Sequence, residues 1–176
     1  MNEFNQKILS SKDRGIGRLI FNNPERRNAM SLEMWKNTTR VLNEFDRDPE
    51  VRVIVLTGAG GKAFVSGADI SKFESERSSV EETLHYNETT TGTTNALQNS
   101  SKPTIAMIRG FCMGGGLALS ICCDLRFCTS ESIFGLPAAK LGVGYGFDGI
   151  RRLAEITGPA YAREICFTGS RFSAEE

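Results

Sequence analysis

The chain has 176 residues, 40% of them hydrophobic, and its 21 Lys and Arg residues balance 21 Asp and Glu residues. This length predicts one compact domain with a real core, and zero net charge provides no global field favouring nucleic acid or an anionic membrane. No apolar run approaches the about 18 residues of a membrane span, and the N-terminal stretch is too polar for a signal peptide, so a cytoplasmic protein is expected.

The first half of the chain predicts a strand, a helix and a second strand. Residues 15–22 (GIGRLIFN) have strand character that Asn23-Pro24 ends. From Ser31, which can cap a helix, apolar residues recur at helical spacing as far as Asp48-Pro49. The near-continuous apolar run at 51–57 (VRVIVLT) then predicts a strand covered on both faces.

The second half predicts further alternation of strands and helices. Residues 58–67 form a glycine-rich segment expected to be a loop, and the polar, weakly periodic residues 71–101 predict a mobile loop with a loose helix. The pattern then predicts strands at 104–108 and 125–129 and helices at 114–122, 150–156 and 160–167. This alternation indicates an α/β fold, and residues 1–176 are expected to form one domain. The final Ser173 to Glu176 has the pattern of a further helix start, so the chain is expected to be cut short.

The cysteines and the single histidine argue against several kinds of catalytic site. The five cysteines are odd in number and form no C-x-x-C pair, so they predict reduced, mostly buried thiols and no metal site. His85 lies in a polar stretch without a neighbouring Cys or Asp and is typical of ordinary surface. A Ser-His or Cys-His nucleophile pair is therefore poorly supported.

Two glycine motifs resemble nucleotide-binding sequences but fail in detail. Residues 56–63 would be a P-loop, yet Leu56 stands where its first glycine is needed and Ala63 where its Ser or Thr is needed. Residues 144–149 match G-x-G-x-x-G, but they follow LPAAKLGV instead of a strand and lie late in the chain. Neither nucleotide hydrolysis nor NAD binding is favoured.

The third glycine motif, Gly114 to Gly116, opens a predicted helix just after a strand. Glycine permits two backbones to approach closely, so the triplet is consistent with simple packing. A helix N-terminus with free amides can also stabilise a negative charge. Taken alone, the motif leaves both interpretations open.

Two segments read together resemble the signature segments of the enoyl-CoA hydratase/isomerase (crotonase) family. They are residues 61–70 (GKAFVSGADI) and 108–124 (IRGFCMGGGLALSICCD). Residues 22–30, 134–138 and 141–143 are similar to other turns of the family, in the expected order along essentially the whole chain.

The resemblance implies a crotonase-like spiral of ββα units, here without the C-terminal helical part. It implies an acyl-CoA thioester as the ligand, with its carbonyl held in an oxyanion hole by the backbone amides of Ala68 and Gly115. A donor aimed at a developing enolate oxygen contributes roughly 3 to 4 kcal/mol. Members of the family assemble as homotrimers or dimers of trimers, which is the expectation for a full-length protein.

The resemblance also implies where coenzyme A lies, as part of the substrate and with no separate cofactor. In the family, one loop cups the adenine and basic residues of the first turn lie near the phosphates, although such basic residues could equally belong to a solvated turn. The matching positions here are Arg26, Arg27, Lys62, Ala63, Phe64, Ser66, Asp69 and Ile70. Asp124 is expected to be structural, fixing the start of the next strand.

The chain departs from the family pattern at two positions that carry acids in the hydratases. Those glutamates correspond to Ala118 and Ala138, and alanine cannot move protons. Asp148 is the outstanding alternative base, although it could instead cap the following helix, and Tyr145 is a weaker candidate. The leading hypothesis is therefore enolate-stabilising chemistry on an acyl-CoA, hydratase-like by resemblance. The alternative is a non-catalytic acyl-CoA-binding or assembly subunit.

Overall fold

The computed structural model describes residues 7–176, which form two sheets and a set of helices. The strands are β1 Ile8–Asp13, β2 Ile16–Phe21, β3 Val53–Gly58, β4 Ala63–Val65, β5 Thr104–Ile108, β6 Phe111–Met113, β7 Leu125–Cys128, β8 Ile133–Gly135 and β9 Arg171–Ser173. The helices are α1 Leu32–Arg47, α2 Phe73–Glu76, α3 Val80–Gln98, α4 Gly115–Cys122, α5 Phe147–Thr157 and α6 Pro159–Thr168. The α/β class predicted from the sequence is confirmed.

From β3 to β8 the strands alternate between the two sheets, which gives the chain its spiral course. One sheet has the order β1-β2-β3-β5-β7 and the other the order β4-β6-β8-β9. Each of these later turns therefore adds one strand to each sheet before a helix follows, as in β5-β6-α4 and β7-β8-α5. Apart from the antiparallel edge pairs β1-β2 and β8-β9, the strand pairs are parallel.

Helix α1 forms as the sequence predicts. The Ser31 hydroxyl accepts a hydrogen bond from the Met34 amide at 3.3 Å, which satisfies one of the free amides of the first turn. The apolar side of the helix, which includes Trp35 and Phe45, is buried in the core. This burial of one face is what the helical spacing of the apolar residues predicted.

The segment at 71–101, predicted to be a mobile loop with a loose helix, instead contains the 19-residue helix α3. Its apolar periodicity is weak because few of its residues are buried, so the pattern did not reveal the helix. A capping box between Ser79 and Glu82 starts the helix, and its contacts with α1 hold it in place. These contacts include the hydrogen bond between the hydroxyls of Thr39 and Thr93 at 2.8 Å.

The prediction that 51–57 is a strand covered on both faces is only half right. Strand β3 begins at Val53, and Ile54 and Leu56 are fully buried, but the opposite face with Val55 is half-buried. Val55 pairs with Ile105, and Thr57 with Met107, along a face that ends at the exposed Phe127 of β7. The apolar run is continuous because the outer face of this sheet also carries apolar side chains, although no other element of residues 7–176 fully covers them.

The C-terminal end of the chain differs from the expectation, and the N-terminal end contains a strand that the sequence did not reveal. The polar residues after Lys7 form β1, which pairs with β2, while the expectation about a leader partly concerns residues 1–6, which lie outside the described residues. The pattern at 173–176 was taken as a helix start, but Ser173 ends strand β9 and residues 174–176 are not helical. Within residues 7–176, no helix is long and apolar enough to cross a membrane.

Candidate functional site

A cavity of about 380 Å³ lies between helix α3, the start of α4 and the loop that precedes α5. Its lining includes Ala68 and Gly115 from the two signature segments, together with Ala118, Ala138 and Asp148. The residues that the sequence singled out for carbonyl binding and proton transfer therefore share one cavity.

The two amide-bearing segments lie side by side at this cavity. A Cβ atom built on Gly114 would be 3.7 Å from the Cα of Gly67. Met30 forms an isolated β-bridge with this segment: its amide donates to the Gly67 carbonyl, and its carbonyl accepts from the Asp69 amide. The Ala68 amide, which lies between these two residues, takes no part in the bridge. Gly115 is the first residue of α4, where an amide has no acceptor inside its helix. Both amides are therefore available within the described chain.

The glycine triplet serves close packing as well as the amide geometry. Gly114 has φ +51°, which favours glycine, and it turns the chain into α4. A Cβ on Gly116 would lie 2.2 Å from the Val65 carbonyl oxygen, and one on Gly115 would lie 2.9 Å from the Trp35 ring. The packing interpretation therefore holds for this segment, and it is the packing that fixes where the Gly115 amide points.

Among the described residues, Asp148 is the one carboxylate in the cavity lining. The two positions that carry glutamates in hydratases of the family also line the cavity, but here they are Ala118 and Ala138. The expectation that Asp148 could cap α5 is wrong. The cap residue is Gly146, and Asp148 lies inside the first turn without a capping hydrogen bond. Its side chain is 73% exposed and approaches the Arg151 guanidinium at 3.8 Å. This location leaves its carboxylate open to the cavity mouth.

Tyr145 and Cys122 line the same cavity but are poorly suited to lose a proton. Burial raises the pKa of the Tyr145 phenol well above its ordinary value, and burial likewise raises the pKa of the Cys122 thiol. The Gln98 amide nitrogen lies 3.3 Å from the Cys122 sulfur. Both groups are therefore neutral walls of the pocket at physiological pH.

The loop expected to meet coenzyme A is held together by Asp69. Its carboxylate, 5% exposed, accepts from the Ser71 hydroxyl at 2.7 Å and lies 3.4 Å from the Arg26 guanidinium. Arg26 also donates to the Ser71 hydroxyl at 2.8 Å. Asp69 and Arg26 thus shape the loop, which presents Ile70, 65% exposed, at the cavity.

A second cleft of about 240 Å³ adjoins the cavity at Ser66 and gathers three cationic side chains. Arg27 lies over the Phe111 ring at 5.1 Å, and Arg171 lies over the same ring at 5.8 Å. Lys140 completes the lining. The sequence pointed to Arg27 but missed Lys140 and Arg171, because they come from distant parts of the chain that β8-β9 pairing brings together.

Five of the eight residues expected near coenzyme A lie outside both cavities, namely Arg26, Asp69, Lys62, Ala63 and Phe64. Lys62 is exposed, and its carbonyl accepts from the Phe111 amide at 3.1 Å. The side chains of Ala63 and Phe64 are buried in the core, where Phe64 packs edge-on against Phe21. Contact of these two side chains with an adenine is therefore corrected to a packing role.

Arg77 is a cavity residue that the sequence analysis missed. Its guanidinium lies over the Phe73 ring at 4.2 Å and over the Tyr86 ring at 3.6 Å. No local signal marked it, because one arginine in a polar segment is usually a surface residue.

Asp124 and the cysteines lie in structural surroundings. Asp124 accepts from the Thr104 amide at 2.7 Å and from the Thr104 hydroxyl at 2.8 Å, so its structural role is confirmed. Among the cysteines, Cys112, Cys122 and Cys123 are buried and Cys128 is exposed, while His85 is a surface residue. In residues 7–176 no group of three or more His, Cys, Asp or Glu side chains could hold a metal ion.

Known proteins share both the sequence pattern and this fold. The sequence model of the enoyl-CoA hydratase/isomerase family matches residues 11–176. The short-chain-enoyl-CoA hydratase of Clostridium acetobutylicum is 34% identical over 99% of this chain and 66% of its own length. The peroxisomal Delta(3,5)-Delta(2,4)-dienoyl-CoA isomerase of Arabidopsis thaliana is 33% identical over 96% of this chain and 64% of its own length.

A solved structure agrees with these relatives. The enoyl-CoA hydratase of Bacillus anthracis superposes with a TM-score of 0.91 at 30% identity, covering 97% of this chain and 66% of that one. The chain thus spans a little less than two thirds of the length of these proteins, and its fold is the crotonase-like one that the resemblance implied. The chain belongs to the enoyl-CoA hydratase/isomerase family.

Proposed function

We propose that this chain binds an acyl-CoA thioester and stabilises an enolate of its acyl group. The observation that carries the proposal is the contact between the Gly67-Ala68 and Gly114-Gly115 segments at the wall of the 380 Å³ cavity. Two amides without acceptors in the described chain lie on these neighbouring segments, and α4 adds its dipole at Gly115. Such donors favour the negative charge that develops on a thioester oxygen when the adjacent carbon loses a proton.

Coenzyme A enters this proposal as part of the substrate, with no separate cofactor. The acyl group would occupy the cavity, and the coenzyme A part of the bound thioester would extend past Ser66 towards the basic cleft with Arg27. Arg26 and Asp69 would act by shaping the loop, and Ile70 would cover the thioester. Lys62 would act through its positive charge on the phosphates of coenzyme A.

Asp148 is the group that we propose as the base. Its carboxylate would take a proton from the carbon next to the thioester, and the electron pair left behind would move to the carbonyl oxygen, held by Ala68 and Gly115. In a 3-enoyl thioester the neighbouring double bond shares this electron pair, so return of the proton to carbon 4 gives the 2-enoyl isomer. In a saturated acyl group the proton can return only to the carbon that lost it, which is exchange without isomerisation. Hydration requires a group that activates water and a group that protonates carbon, and Ala118 and Ala138 provide neither. The cavity therefore supports proton transfer better than hydration.

A second function, binding without turnover, is supported by the exposure of Asp148. A carboxylate that is 73% exposed and near Arg151 lacks the desolvated surroundings that tune most catalytic acids. A non-catalytic acyl-CoA-binding or assembly subunit would keep Ala68 and Gly115 and dispense with the base.

Ligand binding and proton exchange are measured separately on the 176-residue chain. Thermal unfolding and titration calorimetry with butyryl-CoA test the shared part, because a ligand selective for the folded state raises its stability. The thioether analogue butyl-CoA, which lacks the carbonyl, should bind more weakly, and ATP and NAD should not stabilise the protein. Equal stabilisation by NAD and butyryl-CoA would refute the proposal. Loss of deuterium from the carbon next to the thioester then distinguishes an enzyme from a binder.

The assembly state follows from the resemblance alone. We propose a homotrimer or a dimer of trimers for the full-length protein, which sedimentation can test. The cytoplasmic location expected from the sequence stays a prediction.

A further inference from the structure

Arg77 has no anionic partner in the described part of the chain, although it lines the cavity. Its Nε atom is buried and has no hydrogen-bond partner. The neighbouring Glu76 does not compensate the charge, because both of its carboxylate oxygens accept from the Leu32 amide at 3.1 Å. A partly desolvated guanidinium without an anionic partner is costly, and a carboxylate that reaches the group from the cavity would offset this cost.

The aromatic residues around Arg77 hold its guanidinium in a fixed orientation. The group lies against both the Phe73 ring and the Tyr86 ring. Tyr86 is 4% exposed, and its hydroxyl accepts from the Trp35 indole nitrogen at 3.1 Å, so that ring is itself anchored to α1. A planar guanidinium held in this way is suited to a planar carboxylate, because little side-chain freedom is lost on binding.

The wall next to Arg77 also carries polar side chains. Helix α3 contributes Asn87, Thr90, Thr91 and Thr94 to the cavity lining, where the Thr90 and Thr94 hydroxyls donate to carbonyls of their own helix and keep their lone pairs free. Asp148, the carboxylate of the lining, belongs to α5 on another wall and lies near Arg151. The α2–α3 side of the cavity is therefore polar and cationic.

We propose that the pocket selects acyl-CoA thioesters whose acyl group carries its own carboxylate, and that this carboxylate pairs with Arg77. This inference rests on the proposed binding of acyl-CoA. It adds a substrate class, the CoA thioesters of dicarboxylic acids, and makes Arg77 the residue that determines specificity.

Calorimetric titration of the wild-type chain with glutaryl-CoA, adipoyl-CoA and the uncharged hexanoyl-CoA tests the proposal. Glutaryl-CoA or adipoyl-CoA should bind at least about tenfold more tightly than hexanoyl-CoA, the usual effect of one charge-assisted hydrogen-bonded pair. In Arg77→Gln this preference, the ratio of the two dissociation constants, should fall to within about twofold. Arg77→Lys should keep part of the preference, because it retains the charge and loses the planar fork.

The matched control is Arg40→Gln, which removes one positive charge from the exposed side of α1, where Arg40 pairs with Glu44. It should leave the preference intact. If both classes of thioester bind equally to the wild type, or if Arg77→Gln keeps the preference, the inference is wrong while acyl-CoA binding stands. If no thioester binds, the proposed function itself fails. The wild-type comparison decides the matter even if Arg77→Gln does not fold.

Discussion

The indole ring of Trp35 lies so close to Gly115 that a Cβ atom on Gly115 would be 2.9 Å from Cζ2 of the ring. Trp35 is 3% exposed, and its indole nitrogen donates to the Tyr86 hydroxyl, so the ring cannot shift without loss of a buried hydrogen bond. A core residue of α1 therefore determines the position of a backbone amide in the proposed oxyanion hole.

Substitution of Gly115 by alanine should thus damage both stability and binding. The added methyl group would push α4 away from Trp35, and we expect Gly115→Ala to lower the free energy of unfolding by about 1 to 3 kcal/mol. The displaced amide should weaken butyryl-CoA binding, which calorimetry measures. Gly92→Ala is the control, because Gly92 lies inside α3 with nothing within 4 Å of its Cβ position, and it should stabilise the chain by about 0.5 to 1 kcal/mol. A Gly115→Ala protein with unchanged stability would contradict this account.

Substitution of Asp148 separates the enzyme from the binder. Because Gly146 and not Asp148 caps α5, both Asp148→Asn and Asp148→Ala should change stability by no more than about 0.5 kcal/mol. If Asp148 is the base, both should lower the rate of deuterium loss next to the thioester by roughly 10² to 10⁴-fold at unchanged acyl-CoA affinity. Glu155→Gln, on the same helix but outside the cavity lining, is the control. Unaltered exchange in Asp148→Asn would favour the non-catalytic binder.

Hydration of crotonyl-CoA by the wild-type chain should be slow or absent. Replacing Ala118 and Ala138 together by glutamate places two titratable groups on the cavity wall and should raise the hydration rate, followed by the loss of enoyl absorbance. The double change to glutamine adds similar bulk without an acid and should give no gain. Wild-type turnover above the median of about 10 per second for enzymes would show that the missing acids do not matter.

Acid should weaken the link between α4 and β5. Hydrogen bonds from the Thr104 amide and hydroxyl lower the pKa of Asp124 below its ordinary 3.8. A carboxylate with a lowered folded-state pKa contributes its full stabilisation above the unfolded value and loses it as the pH falls through the folded value. Asp124→Ala should therefore cost about 1 to 2 kcal/mol at pH 7, since the buried Thr104 amide loses its acceptor, and this difference should shrink below about pH 4. Urea unfolding of both proteins at pH 7 and pH 3 measures it, and a constant difference would contradict the assignment.

Local sequence patterns were sufficient for the elements whose own residues define them. The Ser31 cap and the apolar spacing of α1 predict that helix, and β5 follows from its β-branched and apolar run. The signature segments identify the family and place Ala68 and Gly115. Matching the chain to the family's segments also reveals the alanines at 118 and 138, because the replacement of a glutamate is visible in the sequence itself.

Other elements depend on contacts between residues far apart in the chain. Strands β4, β6 and β8 have three residues each, too few for any periodicity, and they exist because they pair with one another. Helix α3 is polar on most of its surface and is ordered by packing on α1.

The sequence by itself determined the family, the positions of the two amides and the absence of the two glutamates, because each depends on residue identity at a matched position. Only the tertiary structure decided that Gly146 caps α5 and that Arg171 joins Arg27 at one cleft. It also decided that Arg77 lies against two aromatic rings in the cavity wall, without an ion-pair partner among residues 7–176. Whether a side chain is paired, capped or buried depends on neighbours brought from distant turns of the spiral, and no local pattern records those neighbours.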